Sequence, residues 1–282
     1  MKRIFSFVMI FLLALSMVAL ASAPQKHDVE VAVREKRILD PTLRGLTLTF
    51  YLTLKNTTSS PRFLAKYDYR FIVEQSEYLK LQTSLADPIR IEPKGETVVA
   101  LPVKITYEFL YREVLVAPDK DQLACILTGG MTFQDERRRE KRIPVAFSGE
   151  FPIFRGLDVQ IPAIESKNLT IGGADLIFTA ILKNPNGFGF TLERLAYTLD
   201  LAGKTVSSGT LGRGTSIEGH GEKSFSTPLL LDFFEIGKEV YQGLDEPPVA
   251  VYFRGEAEVT TAWGGFKIPF DKKAKAAVKK IS

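Results

Sequence analysis

Gly219-His220-Gly221-Glu222-Lys223-Ser224 comes nearest in this sequence to a phosphate cradle, because glycine-rich backbone ahead of a lysine and a hydroxyl can wrap an anion. The spacing argues against it. Glu222 separates Gly221 from Lys223, no upstream glycine stands at the required interval, and the residues after Ser224 alternate as a strand does instead of opening a helix. Gly209-Thr210-Leu211-Gly212-Arg213-Gly214 likewise lacks the order and spacing of a dinucleotide loop. Nucleophilic catalysis needs a base beside the nucleophile. His27 lies near the start of the chain and His220 in an expected solvent-exposed turn, so neither is placed for that work. Asp245-Glu246-Pro247-Pro248 holds the acids that glycosidase chemistry uses, but its prolines make it a loop first. Two histidines and one cysteine cannot furnish an ordinary structural zinc site. No catalytic residue, metal site or cofactor is therefore expected. The lone Cys125, flanked by Leu123, Ala124, Ile126 and Leu127, reads as a buried small apolar residue.

Surface recognition is the remaining chemistry. Asp135-Glu136-Arg137-Arg138-Arg139-Glu140-Lys141-Arg142 sets five cations among three acids. Its first reading is a solvated strand connection whose charges discourage edge pairing. Its functional reading is contact of Arg137, Arg138, Arg139, Lys141 and Arg142 with anionic envelope lipid or polysaccharide. The tail Lys272-Lys273-Ala274-Lys275-Ala276-Ala277-Val278-Lys279-Lys280 serves the same contact or keeps a terminal strand soluble. Asn184-Pro185-Asn186 before Gly187 reads as a turn: proline restricts Asn184 to an extended conformation, and Asn186 and Gly187 tolerate positive φ. A binding role for exposed amides is the alternative. Phe233-Phe234 and Phe188-Gly189-Phe190 are expected in core and inter-sheet packing.

The formal charge of +4, from 37 Lys and Arg against 33 Asp and Glu, is small for a 282-residue chain, and nucleic-acid modules concentrate far more positive charge on one face. Nucleic acid is not an expected partner. Lys2 and Arg3 precede an apolar run from Ile4 onward, broken by Ser6 and Ser16, that closes on Ala21-Ser22-Ala23. A positive start, a short apolar middle and a small-x-small exit make residues 1–23 a secretory signal peptide, with an uncleaved anchor as the alternative. The product is then periplasmic or secreted, with no integral membrane span after cleavage. An exported chain with one thiol has no intramolecular disulfide and must hold each domain by its apolar core.

Beyond residue 23 the sequence repeats itself. Asp28-Val29-Glu30-Val31 returns as Asp158-Val159-Gln160-Ile161, Leu52-Thr53-Leu54-Lys55-Asn56 as Ala180-Ile181-Leu182-Lys183-Asn184, and Tyr69 as Tyr197. Ile91-Glu92 with Gly95-Glu96 returns as Ile217-Glu218 with Gly221-Glu222, and Ile143-Pro144 as Ile268-Pro269. The offset drifts slowly, as a few loop deletions would make it. Two domains follow, 24–155 and 156–282. Within each the dominant period is two, as in Leu46-Thr47-Leu48-Thr49-Phe50-Tyr51-Leu52-Thr53-Leu54, which sets an apolar face on a core and hydroxyls in water. Strands are predicted at 28–37, 67–74, 89–92, 97–105, 125–133 and 142–151, and at 158–166, 194–202, 215–218, 223–230, 249–260 and 265–274. Tyr107, Leu110, Tyr111 and Val114, and Phe233, Ile236, Val240 and Tyr241, have helical spacing, so one short helix is expected late in each domain. Gly129-Gly130 and Gly255 are expected to mark bulges. The fold class is all-β, two tandem antiparallel sandwiches of immunoglobulin or fibronectin-III type.

Leu182-Lys183-Asn184-Pro185-Asn186-Gly187-Phe188 leading into Leu195-Ala196-Tyr197-Thr198-Leu199, then Gly203-Lys204-Thr205-Val206 and Ile217-Glu218-Gly219-His220-Gly221, resembles the late-embryogenesis-abundant group 2 family, whose members carry the water-stress and hypersensitive-response (WHy) domain. The first domain keeps Lys55-Asn56 but has Thr57-Thr58-Ser59-Ser60-Pro61 where the second has the Pro-Asn pair. The resemblance implies the sandwich fold, an association with desiccation or osmotic stress and no catalytic residues. The expected function is protection by binding or shielding other envelope proteins or an anionic envelope surface. The alternatives are an interaction module or accessory subunit of envelope machinery, and a carbohydrate- or lipid-binding protein.

Overall fold

A computed structural model describes residues 27–117 and 119–281; the leader expected over 1–23 lies outside the described residues. The alternating pattern becomes strand wherever it occurs. On β2 (Gly45–Asn56), Leu46, Leu48, Phe50, Leu52 and Leu54 are all buried, since successive side chains of a strand point to opposite faces. The hydroxyl face departs from expectation at Thr49, which is buried and whose Oγ1 has no hydrogen-bond partner.

In the first sandwich β2 lies between β1 (Val29–Thr42) and β5 (Glu96–Thr106). The second sheet runs in the order β4 (Ser76–Ile91), β3 (Arg62–Val73), β6 (Gln122–Gln134), β7 (Glu140–Pro152). Every pairing is antiparallel. Phe50 of one sheet meets Phe71 of the other edge to face at 6.4 Å, and Phe71 packs on Phe151. Helix α1 (Tyr107–Arg112) leaves the end of β5 and buries Tyr107 and Leu110.

The second sandwich is built likewise. One sheet orders β14 (Glu222–Asp232), β10 (Gly173–Lys183), β9 (Ile164–Leu169) and β17 (Val278–Lys280), with β8 (Asp158–Gln160) also on β10. The other orders β12 (Lys204–Leu211), β11 (Phe190–Leu201), β15 (Val249–Thr261) and β16 (Gly264–Ala276), with β13 (Thr215–Ile217) also on β11. The strand expected over 158–166 is interrupted between β8 and β9 at Ile161-Pro162-Ala163, where proline has no N–H to give the ladder. Two short helices replace the single expected one: α2 (Phe233–Ile236) and α3 (Lys238–Asp245), separated by Gly237 at φ 107. β17, from the basic tail, pairs in parallel with β9. The chain is thus all-β, with one core from Val29 to Phe154 and another from Val159 to Ala276.

Gly129 and Gly255 mark no bulge. Gly129 stands opposite Tyr69 and Gly255 opposite Tyr197, each in unbroken local register. A Cβ at Gly129 would collide with the Asp68 carbonyl oxygen, and one at Gly255 with that of Ala196. Close backbone approach beside a buried tyrosine, not an inserted residue, calls for glycine here.

Candidate functional site

Strand β2 ends on Asn56, Asn184 directly follows the end of β10, and both asparagines are buried. A buried amide has to find partners for both its N–H groups and its oxygen. Asn56 Nδ2 donates to the carbonyls of Ser60 (2.8 Å) and Glu92 (3.1 Å), while its Oδ1 accepts from Thr58 N (3.0 Å). Asn184 Nδ2 donates to Phe188 O (2.7 Å) and Glu218 O (3.0 Å), while its Oδ1 accepts from Asn186 N (3.0 Å). The backbone N–H groups of Asn56 and Asn184 reach Gly95 O and Gly221 O respectively. Each asparagine thereby ties the loop that follows its strand to the turn that begins the next sheet edge. Exposed binding amides are not what the structure holds.

Asn186 does a further task. Its Oδ1 accepts from Arg155 N at 2.6 Å and its Nδ2 donates to Arg155 O at 3.1 Å, so one side chain clamps the backbone between the two cores. Neither Asn186 nor Gly187 has positive φ, contrary to the turn expected there. Gly187 is small for another reason: Asp121, in the loop before β6, lies against it, and a Cβ would stand 2.6 Å from Asp121 Oδ2.

Asp121 is the hub of the joint. Its Oδ1 accepts from Arg155 at 2.7 Å, and its Oδ2 is 2.8 Å from Nε2 of His220. Arg155 also donates to Pro185 O at 3.1 Å and to Lys120 O. Burial tends to raise the Asp121 pKa, but the bonds from Arg155 and His220 outweigh it and hold the carboxyl below the usual range. His220 is exposed in a turn, as expected, yet it is engaged with a residue 99 positions away. Beside this polar contact lies an aromatic one. Phe154 meets Phe188, Trp263 and Phe266 edge-on at 5.1, 5.6 and 5.1 Å, and is itself 2% exposed. Phe188 thus packs between the sandwiches, while Phe190 enters the second core. Phe233 is in that core as expected; Phe234 is exposed.

The basic segment forms the β6–β7 hairpin. Asp135 accepts from Arg137 N (2.9 Å), Arg139 N (3.0 Å) and Arg139 Nε (2.7 Å), which fixes the turn and lowers the carboxyl's pKa. Lys141 lies 3.6 Å from Asp28, and Arg142 makes a two-pronged contact with Asp68 at 3.1 and 2.8 Å. Arg137 and Arg138 are exposed at the tip. Three of the five cations therefore have carboxylate partners on their own sandwich. Cys125 is buried, and desolvation pushes its thiol up to about 11. The carboxyls with resolved shifts, Asp28, Glu35, Glu74, Asp121, Asp135 and Glu140, all move down beside cations or backbone N–H groups. A general acid needs the opposite shift. Among the described residues no group of three or more His, Cys, Asp or Glu is placed to hold a metal ion, and no helix is long and apolar enough to cross a membrane.

Residues 179–274 match the family model LEA_2, late embryogenesis abundant protein. The match spans most of the second sandwich, including Asn184, Asn186 and His220, and about a third of the chain. No curated protein matches the chain. Similar solved structures include a protein from Archaeoglobus fulgidus, 12% identical, which covers 45% of this chain and 95% of its own with a TM-score of 0.33. Another, from Arabidopsis thaliana, is 19% identical and covers 43% of this chain and 80% of its own with a TM-score of 0.36.

Proposed function

We propose that the chain is an exported, non-enzymatic protein of late-embryogenesis-abundant type 2, made of two copies of the WHy-like domain (24–155 and 156–282) behind a signal peptide. It protects envelope proteins or surfaces during desiccation or osmotic stress by binding or shielding them. The observation that carries this reading is the fate of the motif Asn184-Pro185-Asn186 within the segment that matches the family model: its amides are consumed in holding strands and joint together, so the motif serves the frame of the fold. The duplicate partner sets of Asn56 and Asn184 support the two-copy reading.

Drying a labile enzyme with this protein, or with an equal mass of an unrelated two-sandwich protein, tests the proposal. Greater residual activity with this chain is expected, because a polar, stably folded surface separates partly unfolded neighbours. Equal protection, together with unchanged survival of a deletion strain after drying or osmotic shock, would sink it. The second reading, an interaction module of the envelope, draws on one observation: Ile171, Leu230 and Phe234 are large apolar residues left exposed on the second sandwich.

A further inference from the structure

The joint consumes one end of each sandwich, and each sandwich has two ends. On the first, the consumed end carries the β1–β2 turn, Asp121 and Phe154; Leu43 at the tip of that turn packs against both cores. On the second, it carries the β10–β11 loop, the β13–β14 turn with His220, and the β15–β16 hairpin with Trp263 and Phe266. One end of each kind is left without a partner among the described residues.

The far end of the second sandwich matches the consumed end of the first. Thr170 Oγ1 donates to Gly173 O at 3.2 Å as Thr42 Oγ1 donates to Gly45 O at 3.0 Å, so Ile171 occupies the place of Leu43. Phe233 N donates to Gly172 O as Tyr107 N donates to Arg44 O. Where Leu43 is partly buried, Ile171 is 78% exposed; Leu230, opposite Asp175 towards the end of β14, and Phe234 in α2, whose ring lies by Gly172, are 84% and 85% exposed. These are three of the four large apolar residues more than three-quarters exposed among the described residues, so the chain's strongest apolar liability lies at this one end. Asp245, the last residue of α3 and not the loop residue expected, and Glu246 after it are exposed in the connection to β15, which corresponds to the segment before β6 that carries Asp121.

The near end of the first sandwich matches the receiving end of the second. Lys94, at φ 56, stands in the β4–β5 turn where His220, also at φ 56, stands in the β13–β14 turn. The β6–β7 hairpin presents Arg137 and Arg138, and beside it opens a cleft of about 260 Å³ in which the edges of Val29, Phe133 and Ile143 lie among the charged side chains of Asp28, Arg62, Asp135, Arg139, Glu140 and Lys141.

We propose that a second copy of this chain docks head to tail, the Ile171 end of one copy entering the Val29–Phe133 cleft of the next, with Asp245 and Glu246 against Lys94, Arg137 and Arg138. The inference rests on reading the sandwiches as copies of one domain. Asp245 and Glu246 meet opposite charge at Lys94, Arg137 and Arg138, as Asp121 meets Arg155 and His220 within the chain, while the acids of the cleft are already paired, Asp28 with Arg62 and Lys141, Asp135 with Arg139 and Glu140 with Lys66. Because the two surfaces differ, the contact is heterologous and propagates into strings of copies instead of closing on a two-fold axis.

Sedimentation velocity of the full chain over a range of concentration and salt tests it, with two variants: Ile171→Arg, and the double change Arg137→Glu with Arg138→Glu. All three positions are exposed, so folding should be retained, which circular dichroism checks. The unaltered chain should show mass growing with concentration and shrinking with salt, and each variant alone should need at least tenfold higher concentration to associate. Mixed together, the variants retain one good end each and should form a dimer and nothing larger. A chain that stays monomeric at every concentration would overturn the proposal. So would an arginine variant pair that still associates while Ile171→Arg does not, with no mixed dimer, since that is an apolar patch meeting itself. Drying protection by the monomeric variants is scored separately, so the protective reading stands or falls on its own.

Discussion

Asp121 of the first sandwich lies so close over Gly187 of the second that the glycine's missing Cβ is the space the carboxylate occupies. The contact couples the two bodies through sterics as well as charge, because the same carboxylate receives Arg155 and His220. Gly187→Ala should therefore destabilise by about 1–3 kcal/mol, the usual range for overpacking a filled site. Asp121→Gly should cost stability alone through its lost bonds, yet recover part of the Gly187→Ala loss when combined with it. A double-mutant cycle from urea unfolding measures this; strict additivity of the two changes would show that the residues do not meet.

Acid should open the same joint. The Asp121 carboxyl is held below its ordinary value of 3.8 in the folded chain, so its contribution is fully present above that value and is lost as pH falls through the lowered one. Asp28, Glu74, Asp135 and Glu140 are shifted in the same direction and add to the same slope. Unfolding free energy should be flat near neutrality and fall below about pH 4 to 5, the ordinary carboxylate range. Asp121→Asn should be less stable than the parent at pH 7 and lose less on acidification. Urea titrations at pH 7, 5, 4 and 3 give the comparison, and parallel curves for the two proteins would exclude Asp121 as a contributor.

Much of the frame was legible because alternation is local. Leu46 to Leu54 announces a core strand within nine residues, and Tyr107 with Leu110 announces helix α1. Strand β4 was visible only at its end, 89–92: its burial pattern has no deeply buried residue before Ile91, and Pro88 interrupts the signal. The joint was not legible, since Asp121 finds Arg155 34 residues away and His220 99 away. A hint was present. Phe188 sits in a loop and Trp263 in a hairpin tip, with Phe266 just inside the strand that follows, where water-facing residues are expected, and apolar residues at such places imply something covering them.

Asn56 and Asn184 should respond alike to substitution. Replacing either by Ala leaves buried carbonyl groups and a buried N–H without partners, at a cost of about 2–3 kcal/mol. Asp is no rescue, because a carboxylate oxygen in the place of Nδ2 would face carbonyl oxygens that can only accept. Thermal unfolding of the four single variants checks the point. If Asn56→Ala were neutral while Asn184→Ala was not, the shared hydrogen-bond pattern would lack shared energetic weight.

The single tryptophan reports on the joint. Trp263 lies 5.6 Å from Phe154 and 4.9 Å from Phe188, and Phe154 is the ring around which Phe188, Trp263 and Phe266 gather. A buried aromatic between two bodies couples their unfolding, since one cannot open without exposing surface that the other covers. In the parent chain, fluorescence of Trp263 and far-ultraviolet circular dichroism should therefore follow one urea transition. Phe154→Ala removes the shared ring at a cost of about 3–5 kcal/mol, the range for deleting a buried phenylalanine. With that link gone the Trp263 signal should change first and the circular dichroism should split into two steps, one for each core. Two separate transitions already in the parent would mean that the aromatic contact is too weak to join the sandwiches. A single transition retained in Phe154→Ala would instead assign the coupling to the Asp121, Arg155 and His220 contact, which the substitution leaves in place.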